Sequence, residues 1–236
     1  MVQIMSRLNH SKRAWIMLAG LVVALLLIVG HEASQSAGVI LKDRAVPQKA
    51  LAASAAPVYQ QALEAEAKGD LKNANALLEQ VISNDPANAD AYFHLGVVNF
   101  KLGLKARSEE YYLKAIAGGL KNPESYFHLG YIKETEGSLQ EALEYYLKAE
   151  EGGVGSAELY FNIGNVFARL GNNTRAIQYY TRAVSVNPEH LDAFVNLSTV
   201  SFQAGAYADA QFYLDKAQKL GYKAPDEYVK VLKEKQ

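Results

Sequence analysis

The chain has 236 residues, half of them hydrophobic, and a formal net charge of −1. A nearly neutral chain without a long run of Lys or Arg lacks the electrostatic footprint of a nucleic-acid-binding protein. The sequence contains no cysteine, which excludes disulfides, thiol catalysis and cysteine-ligated zinc.

The first 30 residues carry the features of a membrane segment. They contain Arg7, Lys12 and Arg13 but no acidic residue, and the stretch 14–30 is uncharged. As a helix this stretch would span about 25 Å, which is at the short end of what crosses a bilayer. We therefore predict a basic cytoplasmic tail (1–13) and one transmembrane helix (14–30). The positive-inside rule then places the rest of the chain outside the cytoplasm, in the periplasm if the chain is bacterial.

Two other interpretations of this segment stay open. A cleaved signal peptide would leave a soluble secreted or periplasmic protein, although the following HEASQSAG offers no good small-x-small cleavage site. A buried core helix is the other, although nothing polar breaks the apolar run. Residues 31–54 are predicted to be a linker, which would reach on the order of 27 Å if flexible; a partly helical linker is also open.

A five-residue motif recurs at a fixed interval in the remaining chain. YFHLG stands at Tyr92–Gly96 and at Tyr126–Gly130, and YFNIG stands at Tyr160–Gly164, each 34 residues after the last. Aligned at this interval, residues 55–224 divide into five units without an insertion: 55–88, 89–122, 123–156, 157–190 and 191–224.

Several positions of the unit keep their character in all five copies. Position eight is small (Ala62, Gly96, Gly130, Gly164, Ser198), position fifteen is glycine, and position twenty-four is large (Leu78, Tyr112, Tyr146, Tyr180, Leu214). Apolar spacings of three and four predict two helices per unit, and the glycine predicts a turn between them. We expect the small residues to let the helices of a pair approach closely, and the large residue to fill the gap between neighbouring pairs.

This pattern resembles the tetratricopeptide repeat, which has the same period. The fourth unit matches best, with Tyr160, Ile163, Gly164, Phe167, Ala176, Tyr180, Ala183 and Pro188 in register. The resemblance implies an all-α fold: a right-handed α-solenoid of five helix pairs, preceded here by the transmembrane helix. Residues 225–236 are predicted to form a capping helix, with Tyr228, Val231 and Leu232 as its apolar side.

The resemblance also implies that the first helix of each pair lines a concave groove, through positions two, five, six, nine, twelve and thirteen. A groove with aromatic and amide side chains suits a protein or peptide partner. An alternative for Phe93, Phe127 and Phe161 is that they only pack between repeats. The candidate partner-binding residues are Tyr59, Phe93, His94, Val97, Phe127, His128, Tyr131, Phe161, Asn162, Asn165 and Asn196.

Two specific ligands are not expected in this groove. His94 and His128 would lie about 8–10 Å apart, the usual spacing of packed helices, without a carboxylate between them, so no metal site is predicted. Position two carries Asp90, Glu124, Glu158 and Asp192 where the family's clamp for a terminal carboxylate has lysine. These acids argue against that mode and instead favour the dipole of the helix N-terminus.

The sequence contains no phosphate loop, HExxH or G-x-S-x-G motif. We therefore predict a protein without enzymatic activity and without a cofactor. The resemblance to the family leads us to expect a membrane-tethered scaffold for a protein partner in assembly of an envelope complex. A homo-oligomeric structural component remains an alternative.

Overall fold

The computed structural model describes residues 48–235, which form eleven helices and contain no strand. The predicted basic tail, the membrane segment 14–30 and most of the linker lie outside these residues. Among the described helices, none combines the length and the apolar character needed to cross a bilayer. The helices are α1 Gln48–Ala67, α2 Leu71–Asn84, α3 Ala89–Lys101, α4 Lys105–Ala117, α5 Pro123–Glu136, α6 Leu139–Glu151, α7 Ala157–Arg169, α8 Asn173–Val186, α9 Leu191–Gln203, α10 Tyr207–Lys219 and α11 Asp226–Glu234.

The ten helices α1–α10 form five pairs, one pair in each 34-residue unit. Helix α1 begins at Gln48, so the last residues of the segment assigned to a linker are helical. Residues from Ser54 onward form one compact unit that contains the paired helices and α11. The prediction of an all-α array of helix pairs is confirmed.

Residues suited to helix ends stand at the helix boundaries. Asn88 and Ser156 cap the starts of α3 and α7, where their side-chain oxygens accept hydrogen bonds from Ala91 N and Leu159 N. Gly137 ends α5 with φ of +85°, a left-handed conformation that other residues adopt only at a cost. These signals separate the two helices of a pair and each pair from the next.

Positions eight and twenty-four are in contact inside the helix pairs of units two, three and four. A Cβ atom built on Gly96 would lie 2.6 Å from the Tyr112 ring, and one on Gly164 would lie 2.6 Å from the Tyr180 ring. Tyr112 and Tyr180 are almost completely buried, and the missing side chain of each glycine leaves room for the buried ring. The large residue therefore fills space within its own pair as well as between pairs.

Neighbouring pairs are joined by contacts between position twenty-one and position eleven of the next unit. The chemistry of this contact changes from one junction to the next. Asn99 Nδ2 donates to Asn75 Oδ1 at 2.8 Å in the first junction, and Lys133 Nζ lies 2.7 Å from Glu109 Oε1 in the second. In the third junction Leu143 and Phe167 are buried in one hydrophobic cluster.

Helix α11 covers the end of the last pair. Its Leu232 is fully buried in a cluster with Ala210 and Leu214, while Lys230 and Lys233 are exposed. The predicted terminal helix with one apolar side is therefore present. Within Ser54–Lys235 the candidate groove residues lie on α1, α3, α5, α7 and α9.

Candidate partner-binding groove

The first helices α1, α3, α5, α7 and α9 bring side chains of neighbouring units together in a row. These side chains come from positions six, nine, twelve and thirteen, and we call the row the inner surface. Four junctions join the five units, and each junction carries a different set of groups on this surface.

The first junction is charged. His94 Nδ1 lies 2.8 Å from Glu66 Oε2, and Lys101 Nζ lies 3.0 Å from Glu66 Oε1. The hydrogen bond from His94, followed by that from Lys101, lowers the pKa of the Glu66 carboxyl against the opposing effect of its partial burial. Tyr59 packs edge-on against His94, with ring centroids 5.9 Å apart.

The second junction is aromatic. The His128 ring is stacked on Tyr112 at an interplanar angle of 4° and lies 4.9 Å from the Phe100 centroid. Tyr131 packs edge-on against Phe100 and is 39% exposed, so it is open to a partner. Burial lowers the pKa of His128 to about 4, and its ring is therefore neutral at neutral pH.

Two polar atoms at this second junction lack partners. Within the part of the chain that the structure describes, neither His128 Nδ1 nor the Tyr112 hydroxyl makes a hydrogen bond. At the next junction the equivalent Tyr146 hydroxyl donates to Glu134. Tyr112 lacks such a bond because Phe100 stands where Glu134 stands one unit later.

The third junction is built around Glu134. Its carboxylate accepts a 2.8 Å hydrogen bond from the Tyr146 hydroxyl, and its Oε1 lies 3.6 Å from Arg169 Nη1. Burial, reinforced by the Glu134 charge, raises the pKa of Tyr146. About half of the Arg169 side chain is exposed, so its guanidinium has donors facing solvent. Asn162 is half-buried on the same helix.

The fourth junction is a network of amides. Asn165 Oδ1 accepts from the Tyr180 hydroxyl at 2.8 Å and from Asn196 Nδ2 at 2.9 Å. Asn196 Nδ2 also donates to the Tyr180 hydroxyl at 3.2 Å. Because these bonds occupy the oxygen of Asn165, its Nδ2 group is left as a donor; within residues 48–235 it has no acceptor.

A pocket of about 390 Å³ opens at this fourth junction, and we call it the amide pocket. Its walls offer the Asn165 and Arg169 donors together with the Asn196 oxygen and the Thr199 hydroxyl. The pocket is therefore suited to a polar chain such as a peptide backbone. The lining residues are Glu134, Asn165, Ala168, Arg169, Tyr180, Asn196, Thr199, Val200 and Gln203.

The aromatic residues at position five have a packing role. The ring centroids of Phe93, Phe127 and Phe161 lie 5.9, 6.0 and 5.7 Å from the centroid of the buried tyrosine in the same unit. Phe93 is only 9% exposed, whereas Phe127 and Phe161 are half-buried. Val97 is also half-buried, in the cluster around Tyr112. A direct contact of these rings with a partner stays a prediction.

Several residues of the inner surface are not among the candidates predicted from the sequence. Glu134, Arg169 and Gln203 occupy positions twelve and thirteen, which the resemblance assigns to the groove, but they were not selected as candidates. Tyr180 was assigned to packing alone. The two histidines have separate neighbours, Glu66 for His94 and Tyr112 for His128, and in residues 48–235 no three His, Asp or Glu side chains cluster as metal ligands would.

Comparison with known proteins gives a consistent family. Tetratricopeptide repeat models match residues 59–123, 123–151 and 157–190. No curated protein is significantly similar in sequence to this chain.

Solved structures of similar fold cover most of the repeats. YrrB, described as a TPR protein with an unusual peptide-binding site, is 23% identical at a TM-score of 0.64, over 76% of this chain and 91% of its own. MamA is 22% identical at 0.64, over 70% and 91%. PilF of Pseudomonas aeruginosa is 19% identical at 0.59, over 76% and 80%. At these identities the likeness shows the fold, and with the repeat models matching more than half of its residues, the chain belongs to the tetratricopeptide repeat family.

Proposed function

We propose that this protein is a scaffold that binds a protein or peptide partner on its inner surface. The observation that carries the proposal is the amide pocket, which Asn165 lines: its oxygen accepts from Tyr180 and Asn196, while its nitrogen has no acceptor within residues 48–235. A side-chain amide with an unused N–H donor can pair with a peptide backbone, which offers both acceptors and donors. YrrB, a TPR protein of similar fold with an unusual peptide-binding site, supports the same assignment.

The inner surface suits an extended chain because its chemistry changes along its length. The groups are charged at Glu66, aromatic at Phe100 and Tyr131, charged again at Glu134 and Arg169, and amide at Asn165 and Asn196. A partner that crosses several junctions would meet each set in turn. Such a sequence of unlike contacts gives selectivity, because a partner must match more than one of them.

The proposed location is the outer face of a membrane. The uncharged stretch 14–30 serves as the anchor, and Arg7, Lys12 and Arg13 keep the N-terminus in the cytoplasm. The repeats would then hold a partner near the membrane during assembly of an envelope complex. A soluble secreted or periplasmic form, left by cleavage of an N-terminal signal peptide, would use the same inner surface.

Site-directed photocrosslinking in cells tests the scaffold proposal. A photoreactive residue at Gln203, exposed at the amide pocket, is expected to capture a partner protein. The same residue at Gln178, exposed on the second helix α8, is the control and should capture little. Capture from Gln178 but none from Gln203 would contradict the proposal and favour an interaction through the outer helices, including self-association.

A further inference from the structure

The fifth unit lacks a pair of aromatic rings that the middle units share. In units two, three and four a phenylalanine at position five packs on the tyrosine at position twenty-four, with centroids 5.7–6.0 Å apart. In unit five these two positions are Val195 and Leu214. Both residues are smaller, so the space that the rings fill elsewhere is not filled here.

A pocket of about 240 Å³ occupies this space, and we call it the apolar subsite. Most of its lining is hydrophobic, and helix α11 closes one side. Its volume is below the roughly 300–1,000 Å³ of pockets that hold whole small molecules, and suits a single side chain. The lining residues are Val195, Ser198, Thr199, Leu214, Tyr222, Pro225 and Tyr228.

Ser198 keeps the subsite open. The tyrosines at position twenty-four need glycine at position eight, since a Cβ atom there would lie 2.5–2.6 Å from the ring. Ser198 occupies that position and therefore excludes a tyrosine at 214. Its hydroxyl instead donates to Ala210 O at 2.8 Å.

Ser198 also fixes the wall contributed by helix α11. The Tyr228 hydroxyl lies 2.8 Å from Ser198 Oγ and donates to Ser198 O at 3.1 Å. The phenol is thus satisfied and its ring is held beside the subsite. Helix α11 was predicted to be a cap, and these bonds give it a second role in shaping a site.

The apolar subsite adjoins the amide pocket. Thr199 lines both, and Val195 and Thr199 are four residues apart and so lie on the same side of α9. A chain lying along α9 can therefore reach both spaces. On the other side of Thr199, the half-exposed guanidinium of Arg169 is paired with the Glu134 carboxylate, so this part of the amide pocket carries one charge of each sign.

We infer that the apolar subsite binds one aliphatic side chain of an extended peptide. This inference rests on the proposed function, because the peptide backbone would lie over the amide pocket. Leu, Ile and Met match the lining, which offers little to a polar side chain. Helix α11 is then part of the specificity of the scaffold.

A positional-scanning library of short synthetic peptides tests this, with the full chain held in lipid nanodiscs. The wild type is expected to prefer Leu, Ile or Met over Ala at one peptide position by at least about tenfold, as hydrophobic pockets discriminate by size. Val195→Phe restores the ring found at position five of units two to four, and should remove this preference while other positions keep theirs. Val186→Phe, at an exposed valine of α8 outside both pockets, is the control and should leave the preference intact.

The possible results distinguish a failure of the apolar subsite from a failure of peptide binding on the inner surface. Peptides bound with no aliphatic preference, or with one that survives in a folded Val195→Phe protein, would overturn the subsite and leave groove binding standing. No bound peptides and no capture from Gln203 would overturn both. If Val195→Phe does not fold, methyl shifts decide: addition of a selected peptide to wild type must move the Val195 and Leu214 methyl resonances, and unmoved resonances refute the subsite.

Discussion

The ring of Tyr146 lies against the backbone of Gly130 so closely that a Cβ atom on Gly130 would be 2.5 Å from Tyr146 Cδ1. The same contact joins Gly96 to Tyr112 and Gly164 to Tyr180. The two outer units instead pair Ala62 with Leu78 and Ser198 with Leu214. Positions eight and twenty-four thus vary together within one chain, which is what a steric contact requires.

The first prediction concerns this contact. Gly130→Ala should destabilise the repeats by about 1–3 kcal/mol, because overpacking outweighs the gain of up to about 1 kcal/mol in helix propensity. Tyr146→Leu alone should also destabilise, since it leaves space and removes the bond to Glu134. The double variant, which copies Ala62 and Leu78, should cost clearly less than the sum of the two. Urea unfolding measures all four proteins, and strictly additive costs would show that the contact is not steric.

A second prediction concerns the ion pair between Glu109 and Lys133. Both side chains are mostly buried, at 22% and 14% exposure. Glu109→Leu should destabilise by about 1 kcal/mol, because it removes one of the two carboxylates paired with Lys133 and leaves only Glu136, at 3.1 Å. Adding Lys133→Phe, which copies Leu143 and Phe167 of the next junction, should restore stability to about the wild-type level. A double variant as unstable as Glu109→Leu would show that the junctions are not interchangeable.

The pH dependence of stability gives a third prediction. Burial lowers the pKa of His128 from 6.5 to about 4 in the folded protein. The folded state therefore binds fewer protons than the unfolded chain between these values. Neutral His128 therefore contributes to the free energy of unfolding in full above about pH 6.5, and this contribution is lost as the pH falls towards 4. Allowing for the exposed part of the ring, we expect a loss on the order of 2 kcal/mol.

His128→Asn is the matched variant for this measurement, since Asn162 and Asn196 hold the same position in later units. It should remove this part of the pH dependence, and the difference between the two unfolding curves isolates it from His94 and His190. A wild type and a variant that lose stability in parallel between pH 6.5 and 4 would contradict the assignment to His128.

The orientation of the chain gives a fourth prediction. Arg7, Lys12 and Arg13 precede the stretch 14–30, so a reporter fused after Gln236 should lie outside the cytoplasm. Alkaline phosphatase, which is active only there, is expected to be active in this fusion. An inactive phosphatase together with an active cytoplasmic reporter at the same site would reverse the assigned topology.

The repeat register explains what could be predicted from sequence. Helix pairs, their glycine turns and the close approach of the two helices at position eight follow from residues that recur every 34 positions, so one unit informs the others. The packing of Tyr146 on Gly130 within one pair was not predicted, because the large residue was expected to fill the gap between pairs. The junctions could not be predicted in this way, because positions eleven and twenty-one change from Asn75–Asn99 to Glu109–Lys133. The roles of Glu134 and Arg169 likewise depend on a contact between units that no single unit encodes.

The last prediction separates structure from binding at Asn165. Its oxygen accepts from Tyr180 and Asn196, while its nitrogen has no acceptor in the described part of the chain, and the residue lines the amide pocket. Asn165→Asp keeps an accepting oxygen for both neighbours but replaces the free donor with a second acceptor. It should therefore retain stability to within about 1 kcal/mol while reducing crosslinking from Gln203 severalfold. Asn165→Ala leaves the Tyr180 hydroxyl without its acceptor and removes one of the two hydrogen bonds that Asn196 Nδ2 donates, so it should cost about 1–3 kcal/mol in unfolding free energy. If Asn165→Asp captures the partner as well as wild type, the Asn165 donor plays no part in recognition.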